Sequence, residues 1–184
     1  NGNPTDKYII IATTRPETIM ADAAICINPE DERYGWLKGK KVLIPLINKE
    51  IPIIEDSYVA MDFGTGCLKV TPAHDVNDYE IGMRHNLPVL DIIDDHGRLN
   101  EKAQILVGED RFDARKKIVA MLQEAGNLEK MEDYTSPIGY SERTNAVIEP
   151  RLSMQWFLKM DALAKDALES VESGAVKLIP DKYR

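Results

Sequence analysis

Residues 63–79 read FGTGCLKVTPAHDVNDY. Gly64 and Gly66 mark a turn, and the run from Gly66 to Thr71 that follows reads as a short apolar strand. Pro72 ends that strand, and Asp75 opens a helix with Asp78 in its first turn. Along the strand, Lys69 and Thr71 alternate with Leu68 and Val70, so they share one face. Asp75 and Asp78 stand three apart at a helix start and share a face of that helix. Strand end and helix entry meet at residues 72–74. Lys69, Thr71, His74, Asp75 and Asp78 are therefore expected to converge on one polar pocket.

Upstream, KYIIIAT at residues 7–13 is a β-branched run and predicts a buried strand. TTRPET at residues 13–18 then forms a polar loop at the end of that strand, with a short helical turn. Residues 23–27 predict a second apolar strand, stopped by Asn28-Pro29, and residues 29–34 a short helix with proline and acids in its first turn. Two strands follow at 41–46 and 51–55, around a polar turn at Asn48-Lys49. Downstream, helices are expected at 75–84, at 110–125 with Phe112, Val119 and Leu122 on one face, and at 159–173 with Leu163, Ala164, Ala167, Leu168 and Val171 as a stripe. Residues 127–148 read as strand-rich. Together these predict an α+β fold, a strand-rich, barrel-like core of short strands with peripheral helices.

The 184 residues, 43% hydrophobic and 29% charged, suit a globular domain with a sizeable core. No apolar run approaches a membrane span, and no targeting signal is evident. Cys26 and Cys67 both lie in apolar stretches, the pattern of reduced, buried thiols in a cytoplasmic protein rather than of a disulfide. The formal net charge of −8 argues against a protein that grips a long stretch of nucleic acid. It leaves room for one that holds a single RNA end in a pocket.

Taken residue by residue, blander readings stand beside the pocket. Asp75 reads equally as a helix cap, Asp78 as an acid facing the helix dipole, His74 as a packing residue and Lys69 as a solvated strand residue. A metal site built from His74, Asp75 and Asp78 lacks a third firm ligand, and no zinc-binding spacing occurs.

A resemblance adds weight. TTRPET, ADAAICINPED, GTGCLKVTPAHDVNDYEIG, GEDRFDARK and VIEPRLSMQWF occur in an order and spacing that resemble the editing domain inserted in class I valyl-, isoleucyl- and leucyl-tRNA synthetases. Lys69, the run from Pro72 to Asp75 and residues 147–157 resemble the valyl branch; Asn145 departs from the glycine usual before VIEP. The resemblance implies one editing domain over residues 1–184, a fragment of a larger synthetase, with the segment from about 150 onward leading back to the catalytic body. It implies hydrolysis of the ester of threonine mischarged on the valine tRNA. The alternatives are an isoleucyl editing domain and a non-catalytic tRNA-docking module.

Carried over position by position, the family roles make Asp78 the anchor for the substrate ammonium and Asp75 the acceptor for the threonine hydroxyl. Lys69 and Thr71 would position the ester and terminal ribose. Thr13, Thr14 and Arg15 would hold the terminal adenosine and reactive ester, Thr14 with access to the oxyanion. Phe63 would pack on the adenine or the amino-acid side chain, and His74 would support the pocket. Glu17 and Thr18 are weaker candidates. Arg111 and Arg115, four apart on one helix face, would touch RNA or pair with local acids. The implied partners are the 3′ end of the valine tRNA carrying threonine and the remainder of the synthetase, with no membrane. No metal or cofactor is implied here; ATP and magnesium belong to the catalytic domain.

Overall fold

The computed structural model describes Thr5 and residues 7–183; Arg184, read with the C-terminal segment, lies outside the described residues. The chain divides into two compact units, Asn1–Leu152 and Ser153–Arg184.

In the first unit, four strands form one sheet in the order β2-β3-β1-β4. They are β1 (Ala24–Ile27), β2 (Lys41–Ile44), β3 (Lys49–Glu55) and β4 (Cys67–Val70). β1 runs parallel to β3, with Ile25 opposite Ile53, and antiparallel to β4, with Ile25 opposite Lys69. β2 and β3 form an antiparallel hairpin that pairs Ile44 with Lys49. All four residues of β1 are buried because both faces of the strand are covered. Ile25 and Ile27 join Leu37, Ile44, Ile51 and Ile53 on one side, while Ala24 and Cys26 join Val59, Val70 and Ile81 on the other. Ile81 belongs to helix α1 (Val76–Arg84), which docks that second face next to β4.

Helix α2 (Arg111–Glu124) is capped by Asp110, whose carboxylate accepts the Phe112 N–H at 2.9 Å. Its buried stripe is Ala114, Ile118 and Leu122, which packs on Met20 and Ala21 of a 3-10 helix at Pro16–Ala21. Phe112, expected on the apolar face, lies outside it and stacks on Arg111, its ring centroid 4.4 Å from the guanidinium. The α1 and α2 expectations are otherwise met to within a residue or two.

Three local expectations fail. Residues 7–13 are extended but pair with no strand among the described residues. Ile9 and Ile11 pack against the β1–β3 core while Tyr8 and Ile10 face solvent. The period of two is thus real, but no strand lies alongside to supply the ladder. The short helix expected at 29–34 is a 3-10 helix at Glu32–Leu37, because Asn28 first closes a turn onto Glu30 and Asp31 then caps Arg33. Residues 127–148 hold a single bridge, Tyr140 to Val147, and no strand. Glu129, Lys130, Glu132 and Asp133 keep this stretch solvated and leave it nothing to bury.

The second unit carries helix α3 (Asp161–Glu172), none of whose residues is buried. No helix among the described residues is long and apolar enough to cross a membrane.

Candidate active site

Lys69 and Thr71 do share a face. The Lys69 ammonium donates to the Thr71 hydroxyl at 2.5 Å, to the Thr18 hydroxyl at 3.1 Å and to Asp22 Oδ1 at 2.8 Å. Three acceptors occupy all three of its N–H donors. The Thr71 hydroxyl in turn donates to Asp22 Oδ1 at 2.7 Å. Asp22 and Thr18 come from the 3-10 helix that continues the TTRPET loop and from its exit, so β4 is stitched to that loop through buried polar contacts.

Asp78 joins the same cluster from α1. Its Oδ2 accepts the Thr71 backbone N–H at 2.8 Å, and the residue is 7% exposed. Among the described residues no cation pairs with it. Burial pushes its carboxyl up to about 6, with Asp75 and Asp22 reinforcing the rise and the Thr71 N–H and Lys69 opposing it. A buried carboxylate that lacks a counter-ion favours the approach of a cation.

Asp75 caps α1: its Oδ1 accepts the N–H groups of Asn77 at 2.8 Å and Asp78 at 3.1 Å. The blander reading of Asp75 is therefore correct as far as Oδ1 goes. The residue is exposed, and it lines a hollow of about 100 Å³ together with Pro72, Ala73, Val76, Tyr79 and the segment Pro150, Arg151, Leu152. Asp75 and Asp78 thus border the same helix entry, Asp78 turned toward Lys69 and Asp75 toward the hollow. Gly82 sets the distance between α1 and the turn before it. A Cβ there would stand 2.9 Å from Pro72 Cγ.

His74 does not line an open pocket. It is 1% exposed, and its Nε2 accepts the Ile92 N–H at 3.2 Å. Burial pulls its pKa down to about 4, so the ring is neutral at ordinary pH. What His74 offers the loop is its carbonyl, which accepts from Arg15 at 2.8 Å.

Arg15 is committed on every side. Besides His74 it binds Glu149 and lies 3.5 Å from Glu17. Glu17, fully buried, is gripped by Arg115 through two hydrogen bonds of 2.8 and 2.7 Å. Arg111 lies 3.2 Å from Glu149. Of the two readings of Arg111 and Arg115, pairing with acids is the one the geometry supports. Two arginines of α2 thereby fix the arginine loop and the VIEP segment.

Thr13 and Thr14 are exposed at the tip of that loop, where the Thr13 hydroxyl accepts the Arg15 N–H at 3.0 Å. Phe63 is 72% exposed on the glycine turn. A Cβ added at Gly64, at φ +58°, would stand 3.9 Å from Ala12 Cβ, so the Phe63 turn lies beside the residue that precedes the threonine loop. Tyr34 secures the turn by donating to the Thr65 carbonyl at 2.5 Å. Phe63, Thr13 and Thr14 form an exposed rim of side chains that, among the described residues, shares no hydrogen bond with the largely buried Lys69 cluster.

Sequence reasoning missed Asp22 and Glu149 and ranked Glu17 low. Asp22 sits in ADAAICI, where a lone acid inside an apolar run was the available signal. Glu149 lay in a motif noted only for its resemblance. Cys26 and Cys67 are free and buried, and burial pushes the Cys26 thiol up to about 12. Among the described residues no group of three or more His, Cys, Asp or Glu is arranged to hold a metal ion.

Comparison with known proteins agrees with this architecture. Residues 28–135 match the family described as leucyl-tRNA synthetase, editing domain. The chain is 59% identical over 182 residues to a valine–tRNA ligase of Porphyromonas gingivalis, covering 99% of this chain and 21% of that protein. It is 60% identical over 183 residues to one from Bacteroides thetaiotaomicron, and 51% identical over 179 residues to one from Thermotoga maritima. The chain spans about a fifth of the length of these curated relatives (21% in each). Among solved structures it is similar to the LeuRS–tRNA–LeuAMS ternary complex of Agrobacterium radiobacter K84, with a TM-score of 0.50 at 25% identity, over 66% of this chain and 18% of that one. The chain belongs to the synthetase editing-domain family and is an editing domain of the valine–tRNA ligase type.

Proposed function

We propose that this domain hydrolyses the ester of threonine mischarged on the valine tRNA, after transfer of the amino acid to the 3′ end. An apolar pocket shaped for valine rejects threonine by only ~10², the established figure for valyl-tRNA synthetase itself rather than one obtained from this fold. A second site that demands the hydroxyl completes the discrimination.

The observation that carries the reading is Asp78, a buried carboxylate that pairs with no cation among the described residues and is tied to Lys69 through Thr71. The α-ammonium of an aminoacyl ester supplies the missing charge. Asp75 Oδ2, free of the capping bonds that engage Oδ1, accepts the threonine hydroxyl at the edge of the hollow. Valine leaves that acceptor unpaired, at a cost of about 1–3 kcal/mol. The exposed rim of Thr13, Thr14 and Phe63 receives the terminal adenosine, whose base stacks on Phe63. With Arg15 paired on all sides, its part is to hold the loop in shape.

Aminoacyl esters are already activated, so holding a water against the carbonyl supplies much of the rate without a covalent nucleophile. The Thr14 hydroxyl and the N–H groups at the α1 entry stabilise the oxyanion. The reading requires no metal: a chelator leaves the rate unchanged, and a loss that zinc restores contradicts it. The deciding assay is release of threonine from threonyl-tRNA for valine by the full-length protein and its Asp78→Asn variant. Release that disappears in the variant supports the reading. Absence of release in the unaltered protein defeats it.

A further inference from the structure

Two buried carboxylates, Asp22 and Asp78, lie on either side of Thr71. The Thr71 hydroxyl donates to Asp22 at 2.7 Å while its amide donates to Asp78 at 2.8 Å. Among the described residues one cation, Lys69, serves this pair, and it binds Asp22 at 2.8 Å, leaving Asp78 without an ion pair there. The asymmetry has a structural basis. Asp22 is 3% exposed, and its own carbonyl accepts from Lys49 at 2.8 Å, which fixes the segment that presents the carboxylate. Thr18, one turn earlier, takes a further donor of Lys69 at 3.1 Å. The Lys69 stem is therefore drawn toward the Pro16–Ala21 helix and away from α1.

We propose that Asp22 is a positioning residue that holds the Lys69 ammonium in place and so keeps Asp78 vacant for the ammonium of the substrate. Without Asp22, Lys69 loses the one anionic partner it has among the described residues, and Asp78 is the replacement across Thr71. An internal Lys69–Asp78 ion pair would then fill the place of the incoming ammonium. This inference rests on the proposed role of Asp78 as the ammonium anchor. It assigns to Asp22 a part that neither the motifs nor the cap geometry of α1 supplies.

The charged and titratable groups around Asp78 are Asp75 on its own helix, Lys69 on β4, Asp22 beyond the 3-10 helix, Cys26 on β1 and Tyr58 after β3. Among the described residues Lys69 is the cation that acts on Asp78, while Arg84 at the far end of the same helix is paired with Asp56. The direction of change on losing Asp22 is therefore downward: a like charge disappears and the cation moves nearer.

The test uses the full-length protein in three forms: unaltered, Asp22→Asn, and Asp22→Asn combined with Lys69→Met. The first readout is the titration of the Asp78 carboxyl, followed by NMR without substrate. The second is the affinity for a non-hydrolysable threonyl-adenosine amide. In Asp22→Asn the Asp78 titration moves down by a unit or more and the affinity falls at least tenfold. In the double variant, with no lysine to intrude, the titration returns to its original position or above, and this readout is independent of any contact Lys69 itself makes with the analogue. A purely structural role for Asp22 does not produce that rescue. An unmoved titration in Asp22→Asn, or a folded double variant that does not recover, overturns the proposal. Should Asp22→Asn alone lose its fold, the double variant decides by the same recovery. Failure of the unaltered protein to bind the analogue or release threonine is the separate failure of the functional reading, since the titrations need no substrate.

Discussion

Asp78 accepts the backbone N–H of Thr71 at 2.8 Å and, among the described residues, pairs with no cation, although Lys69 lies just beyond that threonine. A buried anion in this state is a source of instability that the fold tolerates. It gives the site a signature separable from activity.

Asp78→Asn keeps an acceptor for the Thr71 N–H and removes the charge. Deacylation of threonyl-tRNA for valine is expected to fall by about 10²-fold, the scale of losing one charge-assisted contact. Urea unfolding at pH 7.5 is expected to show stability equal to or above that of the unaltered protein. A variant that is both inactive and several kcal/mol less stable would mean that Asp78 serves the fold rather than the substrate.

The raised carboxyl of Asp78, at about 6, also fixes two pH dependences. The folded-state value lies above the unfolded one of 3.8. The stability this group contributes is therefore fully present below the unfolded value and is lost as pH rises through 6, an effect on the order of 3 kcal/mol. The stability gap between Asp78→Asn and the unaltered protein should consequently widen from pH 4 to pH 7.5. The kcat/KM of deacylation should rise over the same interval with an apparent pKa near 6, as the anion that binds the ammonium forms. A profile flat between pH 5 and 7 speaks against the ionised anchor.

Asp75→Ala removes a cap and an acceptor together. The cap is worth about 1 kcal/mol in unfolding experiments. The ratio of threonyl- to valyl-ester hydrolysis is expected to drop roughly tenfold, in line with loss of one hydroxyl contact. A ratio that stays fixed while stability falls leaves Asp75 as a cap and nothing more.

Gly82→Ala tests how the helix is placed. The added methyl would press on Pro72, 2.9 Å away at Cγ. Overpacking of this kind costs about 1–3 kcal/mol. Because Pro72 follows Thr71, the shift opens the Thr71–Asp78 contact, and deacylation is expected to fall further than Tm alone would suggest. Full activity in this variant would show that the spacing is not critical.

Glu17 tests the buried frame behind the loop. It is fully buried between Arg115 and Arg15, and Glu17→Ala takes the anion from Arg115 while Arg15 keeps Glu149. The expected loss is about 1–3 kcal/mol in urea unfolding, the cost of charge-assisted hydrogen bonds whose remaining cation is partly solvated. A loss under about 1 kcal/mol would mean that the ion pairs are dispensable to the frame.

The extent to which the sequence foretold this molecule follows from the range of the forces involved. β4, the Pro72 turn and α1 were legible because a period-two strand, a proline and an Asx cap act locally, over a few residues. Lys69, Thr71 and Asp78 were correctly grouped for the same reason. Asp22 was not, since its partners lie 47 and 49 residues away and only the β1–β4 pairing brings them together. Residues 7–13 misled because alternation reports which side chains face a core, not whether a neighbouring strand exists. His74 misled in the opposite sense: a polar residue beside two acids turned inward to satisfy the Ile92 amide. Roles for Thr13, Thr14 and Phe63 came from resemblance alone, and these residues stand on the exposed rim.

The most direct measurement is a crystal structure of the protein with a non-hydrolysable threonyl-adenosine amide. The α-ammonium is expected to be hydrogen-bonded to Asp78, the threonine hydroxyl to sit on Asp75, and Lys69 to remain on Asp22. An analogue bound elsewhere, or one whose ammonium ignores Asp78 while Lys69 has swung onto it, would remove Asp78 as the ammonium anchor.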